Sequence, residues 1–472
     1  MDKRKVSIAV WNHGCKLNQF EGESLESELK SAGFTLTDPK SASVPDVSII
    51  NTCTVTGKSD RKSRASIYRA VATKKRGGLV VVTGCYASTD TELLSRIEGV
   101  DFVLGNSEKA SIPTLIEAVL SGHTYSTESV DRTFQFKGPE NPHRSRAFVK
   151  VQDGCSMSCA YCKVPLARGA SRSRPAEGII TYVKEVVDRG YREIVLTGIN
   201  LGDYRFNGEH LSHLLRKLLK TDSTFRVRLS SIEPFCFTRD MLDTIEDPRI
   251  VGHFHIPLQS GSDRILALMG RPYRAREFID LIKRIRSIRP ESHLATDVIV
   301  GFPSERHEDF KRTFELVKET GFASLHVFKY SSRPGTRASH MADDVPFLEK
   351  SVRSNALIKL GQKLNEEFRK RFVGTVRETV IESRQKATKK ENIISAGAGC
   401  PTCSAHSIPE TERSEWCEGI TDNYIRVRMP ACTHALFPND RGLDRKILPV
   451  EITRVTREFT VGKLVNEQPE TR

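Results

Sequence analysis

Short apolar runs alternate with amphipathic stretches from the start of the chain to about residue 370, and that rhythm restricts the fold more than any other feature. VSIAV, DVSIINTC and LVVVTGCYA read as strands, and SLESELKSAGF and TELLSRIEG as helices, the pattern of an open parallel sheet. Loops at the carboxyl ends of parallel strands converge on one edge. Cys15, Cys53 and Cys85 each follow one of the three strand-like runs, so three sequence-distant thiols are expected to meet in one site.

From Thr124 to Arg146 the sequence turns polar, with Gly138-Pro139 and Asn141-Pro142, and reads as a linker. The β/α alternation resumes at Ala147 with AFVKVQDGC, EIVLTGIN, RVRLSSIEP, HFHIPLQSG, LATDVIVGF and SLHVFKYS, separated by helical patterns such as EFIDLIKRIRSI. Five or six such units predict an open or closed barrel with its functional loops at the carboxyl ends of the strands. Beyond Phe372 the runs VRETVIES, YIRVRM and ILPVEITRV predict a small all-β module, a five-stranded barrel of a kind that holds single-stranded or looped RNA. The expected architecture is therefore α/β, with an open parallel sheet over residues 1–125, a partial β/α barrel over 141–371 and a small β-barrel over 373–465.

The strongest local signal is Cys155-Ser-Met-Ser-Cys159-Ala-Tyr-Cys162, directly after the first strand of the second unit. Three thiolates on one tight loop suit three irons of a 4Fe-4S cluster and leave the fourth iron open. Structural zinc wants four closed ligands, usually as two pairs. Three small buried hydrophobes would be the bland explanation, but the loop lies where a β/α barrel keeps its chemistry.

The chain has 472 residues, ample for several cores, and 73 Lys+Arg against 59 Asp+Glu give a net charge of +14, which favours a polyanionic partner. No run approaches the roughly 18 apolar residues of a spanning helix, and no signal peptide is evident, so a cytoplasmic, soluble protein is expected. Eleven cysteines in such a chain point to metal ligation or catalysis instead of a disulfide framework.

An open-iron cluster on this loop resembles the radical S-adenosylmethionine (SAM) superfamily. The run GCSMSCAYCKVPLARGASRSR, with LTGINLGDY, RLSSIEP, HIPLQSGSDRILALMGRPY, ATDVIVGFPSE and HVFKYSSRPGTRA, resembles the methylthiotransferases within it. GCKLNQFEGE, NTCTVT and TGCYA extend the resemblance over the amino-terminal unit. Among the branches of that family, the forms GCKxNQxE, NTCTVT and YCxVPxARGxSRS look most like the MtaB type, which acts on threonylcarbamoyladenosine in tRNA. The branches acting on isopentenyladenosine or on a ribosomal-protein aspartate are the alternatives, as is a non-catalytic Fe-S protein that binds RNA. The carboxyl-terminal run VGKLVNEQPETR carries no hydrophobic anchor, which resembles the soluble bacterial forms.

The resemblance implies two 4Fe-4S clusters, one on Cys155, Cys159 and Cys162 and an auxiliary one on Cys15, Cys53 and Cys85. It implies that one SAM methylates a sulfur on the auxiliary cluster and that a second yields a 5′-deoxyadenosyl radical, which removes hydrogen from C2 of the adenine. The implied partners are the anticodon stem-loop of tRNA, a flavodoxin-type electron donor and a sulfur donor of unspecified identity. The carboxyl-terminal module resembles a TRAM domain.

Weaker candidates lie at strand ends, where Gly198, Asn200, Ser231, Glu233 and Gln259 are placed to bind SAM, although turns and caps account for such residues almost as well. Tyr161 is a candidate to stack on adenine. The basic groups Arg61 to Arg64, Lys74 to Arg76, Arg168 to Arg174, Arg271 to Arg276 and Lys283-Arg284 are candidates for phosphate contact, each more often a solvated face. Cys400, Cys403, His406 and Cys417 offer a zinc-like set, with free thiols the commoner outcome for such spacing. Cys236 and Cys432 read as packing residues.

Overall fold

The structure is a computed structural model, and it describes residues 3–41, 43–125, 132–140, 144–221, 224–386, 415–430 and 445–465. In the amino-terminal unit, β1 (Ser7–Asn12), β2 (Thr35–Thr37), β3 (Val47–Thr52), β4 (Leu79–Gly84) and β5 (Phe102–Leu104) form a parallel sheet in the order β2-β1-β3-β4-β5. Side chains alternate across it. Ile49 and Val81 pack in one core with Leu25 and Leu29 of α1 (Lys16–Ser31), while Ile50, Val80 and Val82 pack in the other with Ile67 and Ala70 of α2 (Gly57–Ala72). Both faces are covered, so these strands read as unbroken apolar runs. The strand order reverses between β1 and β3, and the crevice above such a switch point is the usual ligand site of this architecture.

Six parallel strands follow: β6 (Ala147–Lys150), then Glu193–Thr197, Arg226–Leu229, His253–His255, His293–Val300 and Ser324–Lys329. They pair as two three-stranded sheets, joined by a bridge between Val227 and Ile250. Among the described residues no ladder joins the first strand to the sixth, so the barrel stays open on one side. Helix α1 reaches into its core: Phe20 is buried there and meets Tyr182 edge-on at 6.3 Å.

The last unit is a closed five-stranded barrel of Val376–Lys386, Glu415–Thr421, Arg426–Pro430, Thr460–Leu464 and Ile447–Val455. Its turn at Tyr424 seats under the partial barrel. The Tyr424 ring stacks on His253 at 3.9 Å, the Arg228 guanidinium lies 5.0 Å from the ring centre, and Arg228 donates to the Thr421 carbonyl at 3.0 Å.

One expectation changes. The stretch read as a polar linker is, over its described residues, packed structure: Phe136 is buried in the amino-terminal core, the Thr133 carbonyl accepts from Lys150 and the Pro139 carbonyl from Tyr182. Its polar composition hid these contacts because they use backbone carbonyls, which any sequence provides. Of the zinc-like set, Cys417 is buried in the core of the small barrel beside Ile381 and Met429, while Cys400, Cys403 and His406, like Cys432, lie outside the described residues. Cys236 packs against the central core as expected.

Candidate functional site

Cys15 is the residue before α1, Cys53 follows β3, and Cys85 opens the short helix α3 (Cys85–Thr89) after β4. All three stand on the carboxyl edge of the sheet, Cys15 and Cys53 flanking the switch point and Cys85 one strand beyond. Gly14 has φ +102°, and a Cβ on it would lie 2.8 Å from Cys53 Cβ and 2.9 Å from its sulfur. A side chain there would separate the first thiol loop from the second. Burial pushes the Cys53 thiol up to about 11, with the Cys85 and Cys15 thiols adding to the shift.

The second triplet lies on the loop after β6. Backbone bonds pin it: Cys155 donates to the Gly169 carbonyl at 3.1 Å, Ala160 to Met269 at 2.8 Å, and Ala338 to Ala160 at 2.7 Å. Burial pushes the Cys162 thiol up to about 12, and Cys159 and Cys155 push it further in that direction. None of the eight described cysteines is in a disulfide. Thiols crowded in this way ionise readily only when a cation takes the place of their protons. Two triplets of this kind fit two thiolate-ligated iron-sulfur clusters, each with an open iron.

Each triplet has an arginine on one sulfur. Arg271 donates from Nη1 to Cys159 Sγ at 3.1 Å, pairs with Glu233 through Nη2, and donates from Nε to the Tyr273 hydroxyl at 3.1 Å. Arg168 donates from Nε to Cys85 Sγ at 3.3 Å and from Nη1 to Glu21 at 2.9 Å and to both oxygens of Asp153 at 3.0 Å. Lys109 and Lys150 reach Glu21 at 2.5 and 2.6 Å, and Lys150 reaches Asp153 at 2.6 Å. Three cations therefore face two carboxylates, and one of the three, Arg168, also donates to the Cys85 sulfur. The three surrounding cations hold Glu21 well below the usual carboxylate range.

This network runs from Cys85 to Asp153, two residues before Cys155, and so joins the two thiol sites. Sequence reasoning missed it. Arg168 and Arg271 belong to basic runs that read as solvated faces or phosphate contacts, yet both are buried and neither is free to meet phosphate. The available signal was Glu21, an acid four residues after Leu17 on the buried face of α1.

The strand-end candidates stand just past the carboxyl ends of three successive strands of the partial barrel. Gln152 Oε1 accepts from the Ile199 and Asn200 amides at 2.9 and 3.0 Å, and a Cβ on Gly198 would lie 2.7 Å from that oxygen. Gly198 thus serves a close approach to Gln152. Asn200 is 4% exposed, and among the described residues neither its Oδ1 nor its Nδ2 has a partner. A buried amide with both ends unsatisfied costs stability unless a ligand completes it. Ser231 Oγ lies 2.8 Å from His255 Nδ1, and His255 Nε2 and His326 Nδ1 lie 2.8 and 3.0 Å from Asp297 Oδ1. Gln259 has φ +66° and bridges to Val298, donating to the Asp297 carbonyl at 2.8 Å. Tyr161 packs against the cluster of Ile265, Met269 and Phe302.

Residues 149–317 match the profile of the radical SAM superfamily, and residues 7–105 match that of an uncharacterized protein family, UPF0004. The threonylcarbamoyladenosine tRNA methylthiotransferase MtaB of Bacillus subtilis is 33% identical, covering 98% of this chain and 96% of its own. Its namesake from Aquifex aeolicus is 37% identical over 82% of this chain and 96% of its own. The chain belongs to the radical SAM methylthiotransferases, MtaB type. Within the wider family, the tRNA-2-methylthio-N(6)-dimethylallyladenosine synthase of Thermotoga petrophila is 35% identical over 79% of this chain and 85% of its own. The radical SAM methyltransferase TsrM of Kitasatospora setae shares the fold with a TM-score of 0.52 at 13% identity, covering 72% of this chain and 77% of its own. As a radical SAM tRNA methylthiotransferase, the protein uses SAM and a 4Fe-4S cluster on a tRNA substrate, and none of its described helices is long and apolar enough to cross a membrane.

Proposed function

We propose that the protein transfers a methylthio group to C2 of N6-threonylcarbamoyladenosine in the anticodon stem-loop of tRNA, with two SAM molecules and two 4Fe-4S clusters, in the cytoplasm. The observation that carries this reading is the pairing of two thiol triplets through Arg168, which donates both to Cys85 and to Asp153, two residues before Cys155. Cys155, Cys159 and Cys162 hold the SAM-cleaving cluster, and Cys15, Cys53 and Cys85 the auxiliary one. Together, bound SAM and the clusters supply hydrogen abstraction at C2 and the sulfur that replaces it.

The chain's own groups orient these partners. Asn200, unpartnered and buried, offers both an acceptor and a donor to SAM, and Gln152 fixes the backbone on which it stands. Ser231, Glu233 and Gln259 line the same strand ends. Arg271 holds the charge of Cys159 and Arg168 that of Cys85, so each anionic site has a fixed donor that need not reorganise.

Recognition of RNA falls to the small barrel. A cleft beside its contact with the central unit is lined by Arg369, Arg426, Arg428 and Arg457 with Tyr424 and Phe459, and Arg428 lies 4.1 Å from the Trp416 ring centre. Arginines interleaved with aromatic faces suit an unstacked RNA loop. The division of labour is tested by two variants. Cys159→Ala abolishes SAM cleavage, whereas Cys53→Ala keeps reductive cleavage and loses methylthio transfer; equal loss of cleavage in both contradicts the two-cluster assignment.

A further inference from the structure

Helix α2 buries Ser63, Ile67 and Ala70 on one side and turns Lys58, Arg61, Lys62, Ala65, Tyr68 and Arg69 outward on the other. At 3.6 residues per turn those six lie within an arc of about 120°. Tyr68 stands among the cations with 55% of its surface exposed. The helix has one acid, Asp60, and it faces inward, paired with Arg333 of the central unit at 2.7 Å. Among the described residues, the side chains of Lys58, Arg61, Lys62 and Arg69 have no hydrogen bond and no ion pair.

This face does not stabilise its own helix. Lys58, Arg61 and Lys62 lie in the first two turns, where the helix dipole favours anions. Lys58 and Lys62 stand four residues apart, where like charges repel. Other surface helices pair their cations at that spacing: Arg276 with Asp280 at 3.1 Å, Lys311 with Glu315 at 3.9 Å and Lys370 with Glu366 at 2.6 Å. Just beyond α2, Lys74 and Lys75 pair with Asp101 and Asp46 at 2.7 and 2.8 Å. An exposed cationic face kept at a cost to its helix fits a polyanion from outside the molecule.

The helix is fixed to both thiol loops. Ser63 Oγ accepts from the Cys53 amide at 3.2 Å and donates to the Cys53 carbonyl at 3.1 Å, and Ser66 Oγ lies 2.9 Å from His13 Nε2. Arg333 donates to the Thr54 carbonyl and hydroxyl at 2.9 and 2.7 Å, and Ala338, five residues on, donates to Ala160 of the second thiol loop at 2.7 Å. We propose that the outer face of α2 binds the sugar-phosphate backbone of the tRNA, with Lys58, Arg61, Lys62 and Arg69 on phosphates and the Tyr68 ring against a base or ribose. The inference rests on the tRNA substrate and is indifferent to which nucleoside is modified. Cations interleaved with an exposed aromatic ring suit a nucleic acid strand. Phosphate contacts set register and orientation, so a strand held on this helix is placed at a fixed distance from Cys53, while the small barrel takes its own part of the RNA.

The test uses the full chain, reconstituted anaerobically with iron and sulfide, and measures its binding of tRNA lacking methylthio groups over a series of salt concentrations. A triple variant, Arg61→Gln with Lys62→Gln and Arg69→Gln, is compared with a double variant, Arg61→Lys with Arg69→Lys, and with Tyr68→Ala. Three phosphate contacts to a looped RNA contribute about 2 to the slope of log affinity against log salt, and so about 10- to 100-fold in affinity at about 0.1 M salt. The triple variant loses that slope and that affinity, and keeps its iron content and its reductive cleavage of SAM with dithionite. The double variant keeps the wild-type slope, because a phosphate is met by charge alone, and Tyr68→Ala binds more weakly with the slope unchanged. Wild-type slope and affinity in the triple variant overturn the proposal; if that variant also takes electrons from a flavodoxin-type protein more slowly, the face serves an acidic donor instead. A fall in iron content overturns it as well, since the face would then support the auxiliary thiols. A wild type that binds no tRNA overturns the substrate class itself, a pattern distinct from the other two.

Discussion

Replacing Arg168 separates the two thiol sites and is the sharpest structural perturbation available. Its guanidinium donates to Glu21, to Asp153, to Asn18 at 3.3 Å and to Cys85, with its side chain fully buried. Arg168→Met leaves Glu21 and Asp153 to Lys109 and Lys150 alone and leaves Cys85 without its charged donor. Removing one partner of a buried ion network costs about 3–5 kcal/mol, a large share of the stability of an ordinary domain. Arg168→Lys keeps the charge and loses the fork, so its cost should be smaller, about 1–3 kcal/mol for the charged hydrogen bonds that a single ammonium cannot replace. The assay is urea unfolding of the cluster-free proteins, followed by intrinsic fluorescence and compared at the midpoint of the first transition, together with iron bound per chain after anaerobic reconstitution. The order of stability should be wild type, Arg168→Lys, Arg168→Met, and the iron lost should be that held by Cys15, Cys53 and Cys85. An Arg168→Met protein with the wild-type midpoint and full iron refutes the bridging role.

Asn200→Ala removes a buried amide that has no partner, so unfolding should change little or become slightly harder, while SAM binding measured by equilibrium dialysis should weaken by about 10-fold; a stability loss with unchanged SAM binding refutes the assignment. His293 is held down to about 3 by burial, so it is neutral in the folded protein while the unfolded chain takes up a proton below about pH 6.5. Stability is then flat above that pH and falls below it, by about 2 kcal/mol between about pH 6.5 and about pH 5 from this group alone. His293→Gln should flatten the fall in urea midpoints over that range, and an identical fall in the variant contradicts the reasoning.

The β/α rhythm was legible because strand and helix periods are local properties, and the six cysteines because a strand end is readable wherever an apolar run stops. Glu21, Lys109, Lys150 and Arg168 come from four separate segments, and a charged side chain in sequence looks solvated until a fold places another charge beside it. Arg168 and Arg271 were read as surface runs for that reason. The seat of Tyr424 under the central barrel was hidden too, since the turn Thr421–Ile425 reads as an ordinary hairpin and only tertiary contact shows its ring against His253. Gln152 was overlooked because its role is to bond the backbone of the next strand end, and a lone glutamine gives no sequence signal of that kind.

The reaction itself can be read directly. The protein is reconstituted anaerobically with iron and sulfide, then given SAM, a reductant and tRNA lacking methylthio groups, and the tRNA is digested and its nucleosides read by mass spectrometry. A methylthio mass gain on threonylcarbamoyladenosine is the predicted result; a gain on the dimethylallyl nucleoside alone, or deoxyadenosine formed with every nucleoside unchanged, contradicts it.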